Sequence, residues 1–226
     1  MASKGNNRHV KRLASSRYIK VQRKTSKYVA KQHPGRYTYD TSIALVTVLK
    51  EKAGVVANTA EAESALKRGA VKVNGNVVKD PRYPVGFGDV IHIDHLDENH
   101  RVDVERKGAI KVEKVGAPAE RVLKVTGKYV SKGNKIMLRL YDGTTIVGSN
   151  DVKVNDSVAL RDRKVGSVVR MEKGAKCLVI TGAHASESGV IKDIKQGSAT
   201  RDATVEVESG SSTFETLLDN IMVLGK

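Results

Sequence analysis

Ala70-Val71-Lys72-Val73-Asn74-Gly75-Asn76-Val77-Val78-Lys79-Asp80-Pro81 decides how the chain around it is read. Apolar and polar residues alternate on both sides of Asn74-Gly75. That pair readily takes two successive positive-φ conformations, so the stretch predicts a β-hairpin with Val71 and Val73 facing inward and Lys72 outward. Asp80-Pro81 breaks the second strand. Upstream, the period is helical. Ile43, Val46 and Leu49 recur at i, i+3 and i+6, which predicts a helix over Thr41–Lys52 stopped by Gly54. Asn58-Thr59-Ala60-Glu61 has the form of an N-terminal cap for a second short helix through Ala62, Ala65 and Leu66, and Gly69 suits its end. Downstream, Val85–Asp89 reads as a loop and Val90–Ile93 as a strand.

Beyond residue 100 the pattern is all β. Strands of a few residues recur between Gly, Asn and Asp turns, as in Ile136–Leu140, the turn Tyr141-Asp142-Gly143, then Thr144–Val147. Pro118 marks a boundary, and the last module begins near Lys173-Gly174. The fold class expected is α+β, mostly β. It comprises a basic N-terminal arm (1–40), a helix-helix-hairpin module (41–100), a central β domain (101–171) and a C-terminal β-barrel (172–226).

The 226 residues carry a formal net charge of +15. Trp is absent and Phe occurs twice, so each core is built from Val, Ile, Leu and Ala. The charge is concentrated at one end. Residues 1–40 hold eleven Lys/Arg and one acid, Asp40, so the arm carries +10 and the rest of the chain +5. Such an excess repels itself in a free protein and becomes favourable beside a polyanion, where cations displace condensed counterions. Tyr18, Tyr28, Tyr37 and Tyr39 lie among the arm's cations, and rings interleaved with cations suit stacking on bases. The composition predicts an arm with little regular structure until it meets a partner. His9, Lys11, Arg12, Arg17, Tyr18, Lys20, Arg23, Lys24 and Arg8 are the arm's candidate RNA contacts.

The block Ser42–Ile93 resembles the alpha-L RNA-binding motif, in which helix ends and a hairpin form one basic edge. Lys67, Arg68, Lys72, Lys79 and Arg82 are the candidate contacts on that edge. Three further segments are similar to the "e" family of the fourth small-subunit ribosomal protein of archaea and eukaryotes. They are Arg8–Ala14, then Asp80–Ile91, and Val152–Val158 together with Thr213–Leu217 and Val223-Leu224-Gly225. That family ends in a KOW-type, SH3-like barrel, and Val179-Ile180-Thr181-Gly182 with Gly189-Val190-Ile191 match its glycine-punctuated core. The intervening loop, Ala183–Ser188, lacks Lys and Arg, which leaves two readings: an RNA finger, or a hairpin serving only the barrel. The resemblance implies a structural constituent of the small subunit. It would bind small-subunit rRNA and neighbouring ribosomal proteins in the cytoplasm, without cofactor, metal or small-molecule substrate.

Two other readings share these features. An rRNA-modifying enzyme can carry an alpha-L module in front, but no Gly-Arg-Leu-Asp-like stretch supplies a catalytic Asp. A KOW-bearing transcription factor would account for the last module alone. No P-loop, His-Glu-x-x-His or Gly-x-Ser-x-Gly occurs. His92, His95 and His100 are close in sequence but spaced poorly for a tetrahedral metal site. Cys177, the only cysteine, sits in an apolar strand pattern and reads as a buried hydrophobe. No apolar run approaches the ~18 residues of a membrane-spanning helix, so no membrane partner is expected.

Overall fold

A computed structural model describes residues 9–116, 120–161, 164–210 and 212–225. Pro118, expected as a boundary, and Arg8 lie outside the described residues. The chain is mostly β and divides into two compact units. Of the described residues, the first unit takes those up to Asp103 and Ala109–Gly116, and the second takes Val104–Gly108 and those from Glu120 onward.

In the first unit, β1 (Val10–Lys11) pairs antiparallel with β2 (Tyr28–Val29). β3 (Ser42–Ala44) runs into a short helix α1 (Leu45–Thr47) that continues as a wider turn through Val48–Lys52, where Ala53 N–H bonds to the Val48 carbonyl. α2 (Thr59–Lys67) is followed by β4 (Val71–Val73), β5 (Asn76–Val77), β6 (Pro84–Gly86), β7 (Val90–Ile93), β8 (Glu98–Glu105) and β9 (Ala109–Val115). The main sheet has the order β5-β4-β7-β8-β9, and β3 pairs with β6 apart from it. The hairpin forms as the sequence predicts. Asn74 and Gly75 take φ of 52° and 80°, and Lys72 faces Val77 across the pair with Val71 and Val73 buried.

One expectation fails here and two hold only in part, each for a physical reason. Every residue from Ser42 to Leu49 is buried, so the i, i+3 spacing of Ile43, Val46 and Leu49 reflects a stretch enclosed on all sides rather than one helical face. The helix forms over residues 45–52, within the predicted span, and the strand Ser42–Ala44 takes the place of its first turn. Val85 lies not in a loop but in β6, opposite Ile43. Last, the described part of the arm has little regular structure, in elements of two or three residues, as its composition predicts, yet it is packed: Ile19, Val21 and Val29 join one core with Leu45, Leu66, Ile91 and Ile110. The arm's few apolar side chains outweigh its charge locally by reaching a core already formed.

The second unit contains β10 (Arg121–Ser131), β11 (Lys135–Leu140), β12 (Thr145–Val147), β13 (Ser157–Arg161) and β14 (Lys164–Val169) in one antiparallel sheet of order β12-β11-β10-β13-β14. A second sheet, of order β18-β17-β16-β15-β19, is made of β15 (Lys176–Val179), β16 (Ser188–Lys195), β17 (Thr204–Ser209), β18 (Ser212–Leu217) and β19 (Ile221–Gly225). Each sheet closes over its own apolar cluster, one centred on Leu123, Leu138 and Val158, the other on Cys177, Ile191 and Val207. The two sheets belong to one unit and are stitched together by buried polar groups. Val223 N–H donates to Ser157 Oγ at 3.1 Å, and Lys124 Nζ, 2% exposed, donates to the Leu218 carbonyl at 2.8 Å.

Candidate nucleic-acid interface

The arm presents its cations from a fixed base. Arg12 belongs to that base rather than to the surface. It is 5% exposed, and its guanidinium grips Glu51 through two bonds of 2.6 and 2.9 Å while also donating to the Gln22 carbonyl and Ser26 Oγ. The bond to Glu51 holds the Arg12 pKa above its ordinary value against the opposing effect of burial. As a candidate RNA contact Arg12 is therefore corrected: the sequence shows its charge and not its partner 39 residues away. Around it, Lys11, Arg17, Lys20, Arg23 and Lys24 are exposed, as are His9 and Tyr18. A shallow concavity of about 410 Å³ lies between Ser15–Arg17 and Lys20–Arg23. Tyr28, one of the tyrosines that the sequence places among the arm's cations, is half-exposed, with the His9 ring 5.7 Å away and Lys27 Nζ 5.5 Å from its centroid.

The second group sits on the helix-hairpin segment. Asn58 Oδ1 accepts from Glu61 N–H while Glu61 Oε2 accepts from Ala57 N–H, which fixes the start of α2. Buried Ala62 and Leu66 fix its face, and Lys67 and Arg68 emerge exposed at its end. The turn residue Asn74 does more than turn. Its side chain donates to buried Asp89 at 2.6 Å and accepts from Val90 N–H, locking the hairpin to β7. Lys79 and Arg82 are exposed on the segment that follows. Asp80 Oδ1 accepts from Arg82 N–H, and the Arg82 carbonyl accepts from His33 N–H, so the end of the arm is pinned beside this loop.

Lys72 faces outward as expected, but it is not unaccompanied. It donates to Asp94 at 2.8 Å, His92 approaches the same carboxylate at 3.2 Å, and His92 also bonds to Asn99. The Lys72 bond holds the Asp94 carboxyl below the usual carboxylate range. His100 pairs with Glu98. Among the described residues no group of three His, Cys, Asp or Glu could hold a metal ion. Cys177 is fully buried and its thiol is pushed up to about 11, which removes it as a nucleophile.

One basic surface escaped the residue-by-residue reading. Lys132, Lys135 and Arg139, around the turn between β10 and β11, are all exposed. A charge count by module would have found them.

Residues 45–91 match the S4 domain family, and residues 96–164 match the ribosomal family S4e. The chain is 37% identical over 220 residues to small ribosomal subunit protein eS4 of Methanocella arvoryzae, covering 96% of this chain and 94% of that one. It is 34% identical to the protein of the same name from Archaeoglobus fulgidus, with coverage of 96% and 93%. The crystal structure of 30S ribosomal protein S4e from Thermoplasma acidophilum superposes with a TM-score of 0.69 at 28% identity, covering 83% of this chain and 96% of that one.

Proposed function

Since the chain belongs to the S4e family of ribosomal proteins, we propose that its first unit grips small-subunit rRNA through the basic edge formed by the end of α2, the β4–β5 hairpin and the loop after it. The protein is a structural constituent of the small ribosomal subunit and not an enzyme. In the finer reading, residues 41–100 are an alpha-L module, 101–171 a central β domain and 172–226 a KOW-type, SH3-like barrel, all behind the arm of residues 1–40. The partners are rRNA and neighbouring small-subunit proteins in the cytoplasm.

The observation that supports this reading is the state of the cations on residues 45–91. Lys67, Arg68, Lys79 and Arg82 are exposed and make no ion pair among the described residues. A Lys or Arg held on a buried scaffold without an acid partner is ready to replace counterions on phosphate. His9, Lys11, Arg17, Tyr18, Lys20, Arg23 and Lys24 form the second contact, and docking of the arm fixes their relative positions. Arg12 acts by holding the arm, and Lys72 contributes less because Asp94 already neutralises it.

The test is binding to purified small-subunit rRNA across a salt series. The Arg68→Ala/Arg82→Ala variant, with unchanged circular dichroism, is expected to bind more weakly and to lower the magnitude of the salt slope by about 1.8. A folded variant with unchanged affinity and slope overturns the assignment.

A further inference from the structure

After the arm, most of the net positive charge of the chain lies outside the S4 segment. Residues 41–119 hold twelve Lys/Arg against eleven Asp/Glu, residues 120–171 eleven against five, and residues 172–226 six against eight. The central sheet is thus the second cationic body of the protein, and the last module is net acidic. The modules also differ in how their cations are engaged. In the last one Lys173, Lys192 and Lys195 are paired with Asp193, Glu206 and Glu215. In the central one Lys132, Lys135 and Arg139 are exposed and make no ion pair among the described residues.

These three surround an apolar strip. In the ladder, Tyr129 faces Met137 and Met137 faces Val147, on the side of the sheet opposite buried Leu138. Residues directly opposite have Cβ atoms about 5 Å apart, so the strip is about 10 Å long, the width of a nucleobase with its ribose. Tyr129 is 43% and Val147 60% exposed. Arg139 and Lys135 stand two residues to either side of Met137, roughly 7 Å away along β11. Arg139 is opposite Gly127, which has no side chain to cover the ring beside it. Lys128, on the other face, donates to the carbonyls of Asn150 and Val152 and holds the hairpin in place.

We propose that this outward face of the β10–β11 hairpin is a second RNA site, specific for an unpaired nucleotide: Tyr129 stacks one base over Met137 and Val147, and Lys132, Lys135 and Arg139 take the flanking phosphates. An aromatic ring on an apolar floor, flanked by free cations, fits the stacking faces of single-stranded or looped RNA. A duplex hides those faces. An apolar strip meant for a protein would not need three unneutralised cations around it. The inference rests on the reading of the chain as rRNA-binding and adds where, and in what form, RNA meets the second unit.

The chain contains no Trp, so Tyr129→Trp in the full-length protein places a single indole reporter on the strip. Titration with the oligonucleotide U12 is expected to quench its fluorescence saturably, and a 12-base-pair RNA duplex is expected to quench it far less. Adding Lys132→Ala and Lys135→Ala should weaken the quenching titration and lower the magnitude of its salt slope by about 1.4. In the otherwise native chain, Tyr129→Ala should weaken U12 binding by about tenfold and Tyr129→Phe should restore it. All three side chains are exposed, and circular dichroism confirms that each variant is folded. If U12 binds, as fluorescence anisotropy of a labelled oligonucleotide reports, without changing the indole signal, the hairpin site is wrong and the proposed function stands. If the indole responds only to added small-subunit proteins, the face is a protein contact and the inference is overturned. If neither U12 nor small-subunit rRNA binds the native chain, the proposed function fails and this inference with it.

Discussion

Replacing Glu51 by Gln separates the arm's charge from its geometry. In the native chain Arg12 and Glu51 have side chains 5% and 20% exposed and meet at 2.6 Å. Removing one partner of a buried ion pair leaves the other uncompensated. That costs about 3 kcal/mol, at the low end of the usual range because Glu51 keeps part of its surface in water. The arm is a local element and opens without global unfolding, so this energy shifts its docking equilibrium by about a hundredfold. Amide hydrogen exchange reads this directly. Arg12 N–H, bonded to the Lys27 carbonyl, and the Val10/Val29 ladder should lose about two orders of magnitude of protection, whereas amides of β4 and β7 should not change. The RNA readout then sets charge against geometry. Glu51→Gln raises the net charge by one, so charge alone predicts tighter rRNA binding. Release of the arm predicts weaker binding, because its cations lose their fixed spacing and must be ordered again. Unchanged protection of the arm, or affinity that rises with the added charge, would refute the view of Arg12 as the arm's anchor.

Three further outcomes follow from the same structure. Lys72→Ala should lower the rRNA salt slope by clearly less than Arg68→Ala, since Asp94 already pairs with Lys72; equal slopes would show that the pair opens on RNA. Lys124 is buried, and desolvation lowers its pKa to about 8 from 10.5. At this site the unfolded chain therefore binds more protons between those values, so Lys124 contributes a rise in stability of roughly 3 kcal/mol from pH 8 to pH 10.5, which urea titrations should show as the difference in pH dependence between the native chain and Lys124→Met. Cys177 should resist a thiol reagent in the folded protein and react on unfolding; fast reaction in native buffer would contradict its burial.

The sequence made local features plain and long-range ones invisible. Asn58 as a cap, Asn74-Gly75 as a turn and Cys177 as a core residue each depend on chemistry within a few positions, and each is found where the sequence places it. Ser42–Ala44 misled because burial on every side erases the periodicity that distinguishes helix from strand. The docking of the arm was not legible because its net charge hides the few apolar residues, Ile19, Val21 and Val29 among them, that seat it. Lys67, Arg68, Lys79 and Arg82 were identifiable as exposed from their positions at a helix end and in a loop. That Lys72 and Arg12 already have acid partners could not be read, because those partners lie 22 and 39 residues away.

The docking of the arm also dictates an order of events during synthesis. Lys52 Nζ donates to the carbonyls of both Lys20 and Ile110, and Ile19 shares a core with Ile110. The seat of the arm is thus completed by a strand translated some ninety residues after the arm itself. Until that strand leaves the ribosome making it, the most cationic part of the chain is tethered at one end only. A nascent chain in that state can meet RNA first and fold onto its own body second.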